Sequence, residues 1–186
     1  LSLLKCKAIP SNGYYNIHGN KIYITHGDQD MSDNIIHLVL ARLPNAPSGN
    51  KGISLFIAPK KIIANNTHKL NDIRVVSLEH KLGHLASPTC VLAYGDNTGA
   101  QAELIGEKHG GLKAMFTMMN NARLNVGVQG VAIAERAFQQ AYNFAYTRFQ
   151  GQSIDNLDHK TVPIIDHPDV KRMLLDMKSR IEAMRA

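Results

Sequence analysis

The sequence predicts an α+β fold: an antiparallel β-barrel or sandwich over residues 1–108, followed over 109–186 by the first long helices of an α-helical bundle. Three observations carry this. Short apolar or β-branched runs alternate with Gly, Asn, Pro and Ser turn signals up to Gly106. The stretch from Gly111 to Gly151 has no proline and repeats apolar or small residues in steps of three and four. A second stretch of the same periodicity opens at Pro168.

In the β region, LKCKAIP is a short strand, and YYNIHG and KIYITHG form a hairpin turning at Gly19 and Asn20. IIHLVLARLP and ISLFIAPK follow, separated by the loop PNAPSGNKG, so the strands read as an antiparallel meander. KKIIANNTHKLNDIRVVSLEHKLG reads as a polar stretch, and SPTCVLAYGD and AELIGE supply the last strands.

On the long helix, Leu112, Met115, Phe116, Met119, Ala122, Val126, Gly130, Ala134, Ala137, Phe138, Ala141 and Ala145 form one stripe. Lys113, Asn120, Arg123, Gln129, Glu135, Arg136, Gln139 and Asn143 lie opposite. Unbroken, this helix spans roughly 60 Å at about 1.5 Å per residue. A rod that long needs partner helices. A polar loop, QSIDNLDHKTVPIID, leads to a second helix with Pro168 and Asp169 in its first turn, as the free N–H groups and dipole there favour, and with Val170, Met173, Leu174, Met177 and Ile181 on one face. The two helices are expected to pack antiparallel.

Composition narrows function less than fold. At 186 residues and 44% hydrophobic, the chain can bury the core of one domain or one and a half. A net charge of +6 suits anionic ligands, including dinucleotides, coenzyme A and nucleic acid, and equally suits a solvated basic surface. Cys6 and Cys90 are far apart and lack metal-ligand spacing, which fits inert thiols in a reducing compartment. The nine histidines show no HxH or HExxH pattern, so no metal site is expected. There is no phosphate-binding glycine loop, and neither Ser87 nor Cys90 sits in a nucleophile elbow. No apolar run approaches a membrane span, and a cytoplasmic protein is expected. The chain opens on Leu1 and closes inside the helical pattern MKSRIEAMRA, so it reads as a piece of a longer protein.

The order of motifs is more informative than any one of them. YITHGD comes first, then Lys81, Gly83, Ser87 and Thr89, then Gly106, Glu107 and Gly111. Arg123, Gly127, Gly130, Ala132 and Ala137 follow on the long helix, with Arg148 and Gln150 at its end. This succession resembles the acyl-CoA dehydrogenase family over essentially the whole chain. GDQDM, HLVLARLP, KGISLFIAPK, MFTMMNNARL and GVQGVAIAERA look most like its 3-methylmercaptopropionyl-CoA dehydrogenase-like branch.

The resemblance implies a middle β domain and the start of a C-terminal helical domain of an FAD-dependent enzyme that oxidises an acyl-CoA to the enoyl-CoA. It implies that Tyr23, Ile24 and Thr25 lie against the flavin, with Tyr in place of the family's Trp, and that Arg148 and Gln150 reach the cofactor of a neighbouring subunit. Gly151 stands where many members have Phe. Arg123 is implied to wall the substrate site. An ordinary strand for Tyr23–Thr25, a dipole partner for Arg148 and a bundle salt bridge for Arg123 are the alternative readings of the same residues. No catalytic residue is assigned, because Ala122 fills the helix position where some members carry the glutamate base, so the base is expected beyond Ala186. The implied partners are an acyl-CoA, an electron-transfer flavoprotein or similar acceptor, and further copies of the chain, as a dimer or tetramer formed through the helical domain. The isolated chain is expected to be inactive. A DNA-binding flavoprotein without dehydrogenase activity is the alternative function, and the charge permits it.

Overall fold

The computed structural model describes residues 1–64, 67–152 and 160–186; residues 65–66 and 153–159, the latter holding His159 and much of the anticipated polar loop, lie outside the described residues. Nine strands come first: β1 Lys7–Ser11, β2 Tyr14–Thr25, β3 Ile36–Arg42, β4 Ile53–Pro59, β5 Lys61–Ala64, β6 Thr67–Leu70, β7 Ile73–Leu78, β8 Thr89–Tyr94 and β9 Ala100–Ile105. Seven of them form one sheet in the order β1-β3-β4-β9-β2-β8-β7, and a further β1–β2 pairing closes β1, β3, β4, β9 and β2 into a ring. The fold is therefore mixed α+β with a barrel-like sheet. It is not a simple meander: β1 meets β3 in parallel, at Lys7 and Arg42, while the other pairings are antiparallel.

Alternation fills the interior. On β3, His37, Val39 and Ala41 are buried while Ile36 and Leu38 face out. They join Ile17, Phe56, Ala58, Leu92, Ala100 and Ala102 in one core. Tyr15 packs edge-on to Phe56 with ring centroids 5.1 Å apart.

Three expectations of the β region are corrected. Gly19 and Asn20 are not a turn, because β2 runs straight through them and changes neighbours, from β1 and β9 to β8. Gly19 has φ +128°, and a Cβ there would come within 2.9 Å of Cys6 Sγ, so the glycine serves a close crossing. The polar stretch holds β5, β6 and β7, whose mostly exposed side chains carry little of the apolar signal that marks a strand. Its order depends on Asn71, which is buried, donates to the carbonyls of Pro59 and Gln101, and accepts from the Gln101 N–H.

The chain divides into two compact units, Leu1–Met118 and Met119–Ala186. The division falls inside α1, Gly111–Thr147, an unbroken helix of 37 residues. Its first turn packs on β4: the His109 N–H donates to Ser54 Oγ at 2.8 Å, and a Cβ on Gly111 would meet Ser54 C at 2.4 Å.

In the second unit α1 leads to β10 Phe149–Gln152, paired with β11 Thr161–Pro163, and to α2 Pro168–Arg185. The two short strands correct the anticipated loop, being too short to show periodicity. Pro168 takes the first turn of α2 as expected. Glu135 pairs with Arg185 at 3.2 Å, and further along α1 Lys178 lies 5.5 Å over the Phe138 ring, so the helices run antiparallel. Leu174 and Ile181 are buried, whereas Met173 from the same predicted face is exposed. The predicted burial of the α1 stripe is likewise partial: Val126 is 64% exposed, and Leu124, Val128 and Ile133 are exposed beside it. No described helix is long and apolar enough to cross a membrane.

Candidate functional site

The candidate site in the first unit is the end of β2. Its ladder with β8 slips between Lys21 and Ile24, and in that irregularity Tyr23 adopts φ +59° with its side chain 68% exposed. A tyrosine in the left-handed region is strained by about 1–3 kcal/mol. Bulges of this kind re-aim a side chain, here turning an aromatic face toward solvent. Ile24 and Thr25 resume the ladder opposite Cys90 and Thr89.

The segment after β2 is held firmly. His26, also at positive φ, donates its N–H to the Pro88 carbonyl at 2.8 Å, and its Nε2 lies 3.1 Å from Ser87 Oγ. Lys81 Nζ donates to the Ser87 carbonyl. Lys81, Ser87 and Thr89, singled out only as motif letters, thus pin the loop between β7 and β8 against the Tyr23–Thr25 edge. His26 was not among the expected site residues, since nothing in the spacing of a lone histidine signals a turn clasp.

A cavity of about 390 Å³ opens beside this edge. Ile24 and Thr25 line it, whereas Tyr23 is not among its lining residues; Lys21, His26, His37 and Tyr94 are its polar members, and Leu40, Met115 and Met118 belong to its apolar wall. No Asp or Glu lines it among the described residues. Lys21 Nζ donates to the Leu40 carbonyl at 2.7 Å, and desolvation by burial draws its ammonium below the usual lysine range. His37, 7% exposed, places Nδ1 2.8 Å from the Tyr94 hydroxyl. Burial lowers the His37 pKa and raises that of Tyr94, so both groups are held neutral.

The remaining predicted site residues lie in the second unit. Arg148 follows the last turn of α1: its N–H donates to the Phe144 carbonyl at 2.9 Å, its carbonyl accepts from the Ile164 N–H at 2.8 Å, and its side chain is exposed. Gln150 is exposed, and its carbonyl lies 2.7 Å from His167 Nε2. Arg123 lines a groove with Leu124, Gly127, Val131, Met184 and Arg185. Ala122, beside it, offers no proton acceptor. Tyr23, Ile24 and Thr25 thus fall together in one unit, and Arg148 and Gln150 in the other.

The two groups have complementary chemistry. An exposed aromatic face beside a hydroxyl suits a planar heterocycle, and an exposed guanidinium suits a phosphate. The structure contains residues that fit a flavin dinucleotide, with the ring at the bulge and the diphosphate at a helix-end arginine.

Comparison with known proteins agrees with this chemistry. Residues 109–186 match the C-terminal domain of acyl-CoA dehydrogenases. The whole chain is 51% identical to a 3-methylmercaptopropionyl-CoA dehydrogenase of Ruegeria pomeroyi, covering 32% of that protein. It is 38% identical over 98% of its length to a butyryl-CoA dehydrogenase of Syntrophomonas wolfei, covering 31% of it. The solved butyryl-CoA dehydrogenase of Megasphaera elsdenii superposes with a TM-score of 0.73 at 26% identity, over 99% of this chain and 43% of that one. The chain thus spans about a third of the length of the curated relatives just named. It is related to the acyl-CoA dehydrogenases throughout, as its motif order indicated, and residues 109–186 belong to their C-terminal domain.

Proposed function

From that relationship we propose that the chain is the middle β domain and the start of the helical domain of a longer FAD-dependent acyl-CoA dehydrogenase. The intact enzyme converts an acyl-CoA thioester to its 2,3-enoyl-CoA. The observation that carries this reading is the similarity running from end to end of the chain, across both the Tyr23–Thr25 edge and the Arg148–Gln150 segment.

When bound, the flavin supplies a two-electron acceptor for the substrate's β-hydride. In this reading Tyr23 covers one face of the ring, Thr25 offers its hydroxyl at the ring edge, and Ile24 keeps that edge dry. Arg148 and Gln150 hold the cofactor of a neighbouring copy, with the guanidinium on the diphosphate. Arg123 forms part of the substrate wall. The carboxylate that removes the α-proton comes from polypeptide outside residues 1–186, since Ala122 cannot serve.

An electron-transfer flavoprotein or similar acceptor reoxidises the enzyme, and the exposed apolar side chains of α1 are covered by further helices and by other copies of the protein. The dehydrogenase reading is preferred over DNA binding because the named relatives are acyl-CoA dehydrogenases. The test is anaerobic titration of the purified full-length protein with butyryl-CoA and 3-methylmercaptopropionyl-CoA. Bleaching of a flavin absorption band is expected; a protein without a flavin band after incubation with FAD ends the proposal.

A further inference from the structure

The cavity beside Thr25 is bounded by two strand edges that lack neighbours. On β3, Ile35 accepts from the Lys60 N–H at 2.8 Å on the β4 side, whereas the Arg42 N–H donates to Cys6 O at 2.9 Å on the opposite side. Backbone groups alternate in direction along a strand, so the odd-numbered residues His37, Val39 and Ala41 bond to β4. The N–H groups of Ile36, Leu38 and Leu40, with their carbonyls, point into the cavity. β1 covers that edge only at its foot, at Arg42.

Across the cavity, β2 from Gly19 to Thr25 pairs with β8 alone. The bond that crosses is not a ladder bond but the side chain of Lys21, whose Nζ reaches the Leu40 carbonyl at 2.7 Å. Neighbouring strands stand about 4.8 Å apart. A separation that needs a whole lysine side chain is wider than one such spacing and has room for a strand between. Buried peptide groups without partners are rare and costly, so this edge requires a complement.

We propose that the slot between β3 and β2 takes an extended peptide strand, which completes the sheet by bonding to Leu38 and Leu40. The strand comes from the same longer polypeptide, and to that extent the inference rests on the proposed function. An alternating set of N–H and C=O groups is what two facing strand edges recognise. The side chains of this strand on one face meet Met115 and Met118, so apolar residues are expected there.

Amide hydrogen exchange tests this on the chain of residues 1–186 and on the full-length protein. In the isolated chain the Leu38 and Leu40 amides exchange at least a hundredfold faster than those of Val39 and Ala41. Adding a capped decapeptide of alternating Thr and Val slows Leu38 and Leu40, and the same peptide N-methylated at every second residue does not. In the full-length protein these amides are already slow, and the decapeptide does not bind. Slow Leu38 and Leu40 amides in the isolated chain, equal binding of the N-methylated peptide, or fast exchange in the full-length protein would each overturn the proposal. None of these readouts depends on flavin or on turnover, so failure of the dehydrogenase reading is seen separately.

Discussion

His37 and Tyr94 meet nearly perpendicular in the wall of the cavity, ring centroids 5.8 Å apart and Nδ1 2.8 Å from the hydroxyl. They come from strands 57 positions apart in sequence, so the contact fastens β3 to β8 across the barrel. His37 Nε2 is buried without a hydrogen-bond partner, which makes the Nδ1 bond the ring's anchoring contact.

Tyr94→Phe removes the hydroxyl and leaves a second buried ring nitrogen unmatched. The expected loss is about 1–3 kcal/mol of unfolding free energy, the typical cost of stranding a buried polar group. Urea unfolding of the isolated chain measures it.

The same histidine shapes the pH dependence. Desolvation lowers the His37 pKa, opposed by Asp28 and reinforced by Lys60. The folded pKa therefore lies below the unfolded value of about 6.5. Above that value both states are neutral at this site and the stability is intact. As pH falls through it the unfolded chain takes up the proton first, and stability drops until the folded pKa is passed. His37→Phe is expected to flatten the decline in unfolding free energy just below pH ~6.5, where the wild type slopes.

Asp72 is expected to govern the acid limb. Desolvation would raise its pKa, but the N–H groups of Asn97, Thr98 and Gly99 and the Asn97 side-chain amide outweigh this and hold the carboxyl below the usual range. Stability from Asp72 is present above its unfolded pKa of about 3.9 and is lost as pH falls through the lower folded value. Asp72→Asn should loosen the 96–100 loop, speed exchange of the Thr98 and Gly99 amides, and reduce the loss of stability below pH ~4.

The contrast between regions shows what a sequence can carry. α1 was legible because a periodicity repeated over many turns is a strong signal, and β3 because its buried and exposed residues alternate. The β2 hairpin was misread because Gly19–Asn20 has turn composition, whereas that glycine is needed for the approach of Cys6. β5, β6 and β7 were missed because their pairing depends on distant carbonyls bonded by Asn71, a contact without local pattern. At the site, the Tyr23–Thr25 edge was found through motif order alone. The left-handed Tyr23 and the His26–Ser87 clasp are backbone and long-range features that residue types do not announce.

Two glycines are expected to respond oppositely to alanine. Gly95 has φ +74°, and a Cβ there would sit 2.2 Å from the Ile17 carbonyl oxygen, so Gly95→Ala should destabilise the barrel severely. A Cβ on Gly127, in the interior of α1, meets nothing within 4 Å. Gly127→Ala should therefore stabilise the isolated chain by about 0.5–1 kcal/mol. Thermal unfolding of both variants decides it.

Tyr23 offers the sharpest separation of stability from function. Its positive φ is strained for tyrosine and relaxed for glycine, and its ring is too exposed to contribute much to the core. Tyr23→Gly should leave the melting temperature of the isolated chain unchanged or raise it, since relief of about 1–3 kcal/mol of strain offsets the greater entropy of the unfolded glycine chain. In the full-length protein the same change removes the aromatic face proposed to cover the flavin, and the variant should purify with less bound flavin. Tyr23→Trp enlarges that face and should retain more. A Tyr23→Gly protein that is strongly destabilised in isolation yet fully flavinated at full length would assign the tyrosine to packing and remove it from the cofactor site.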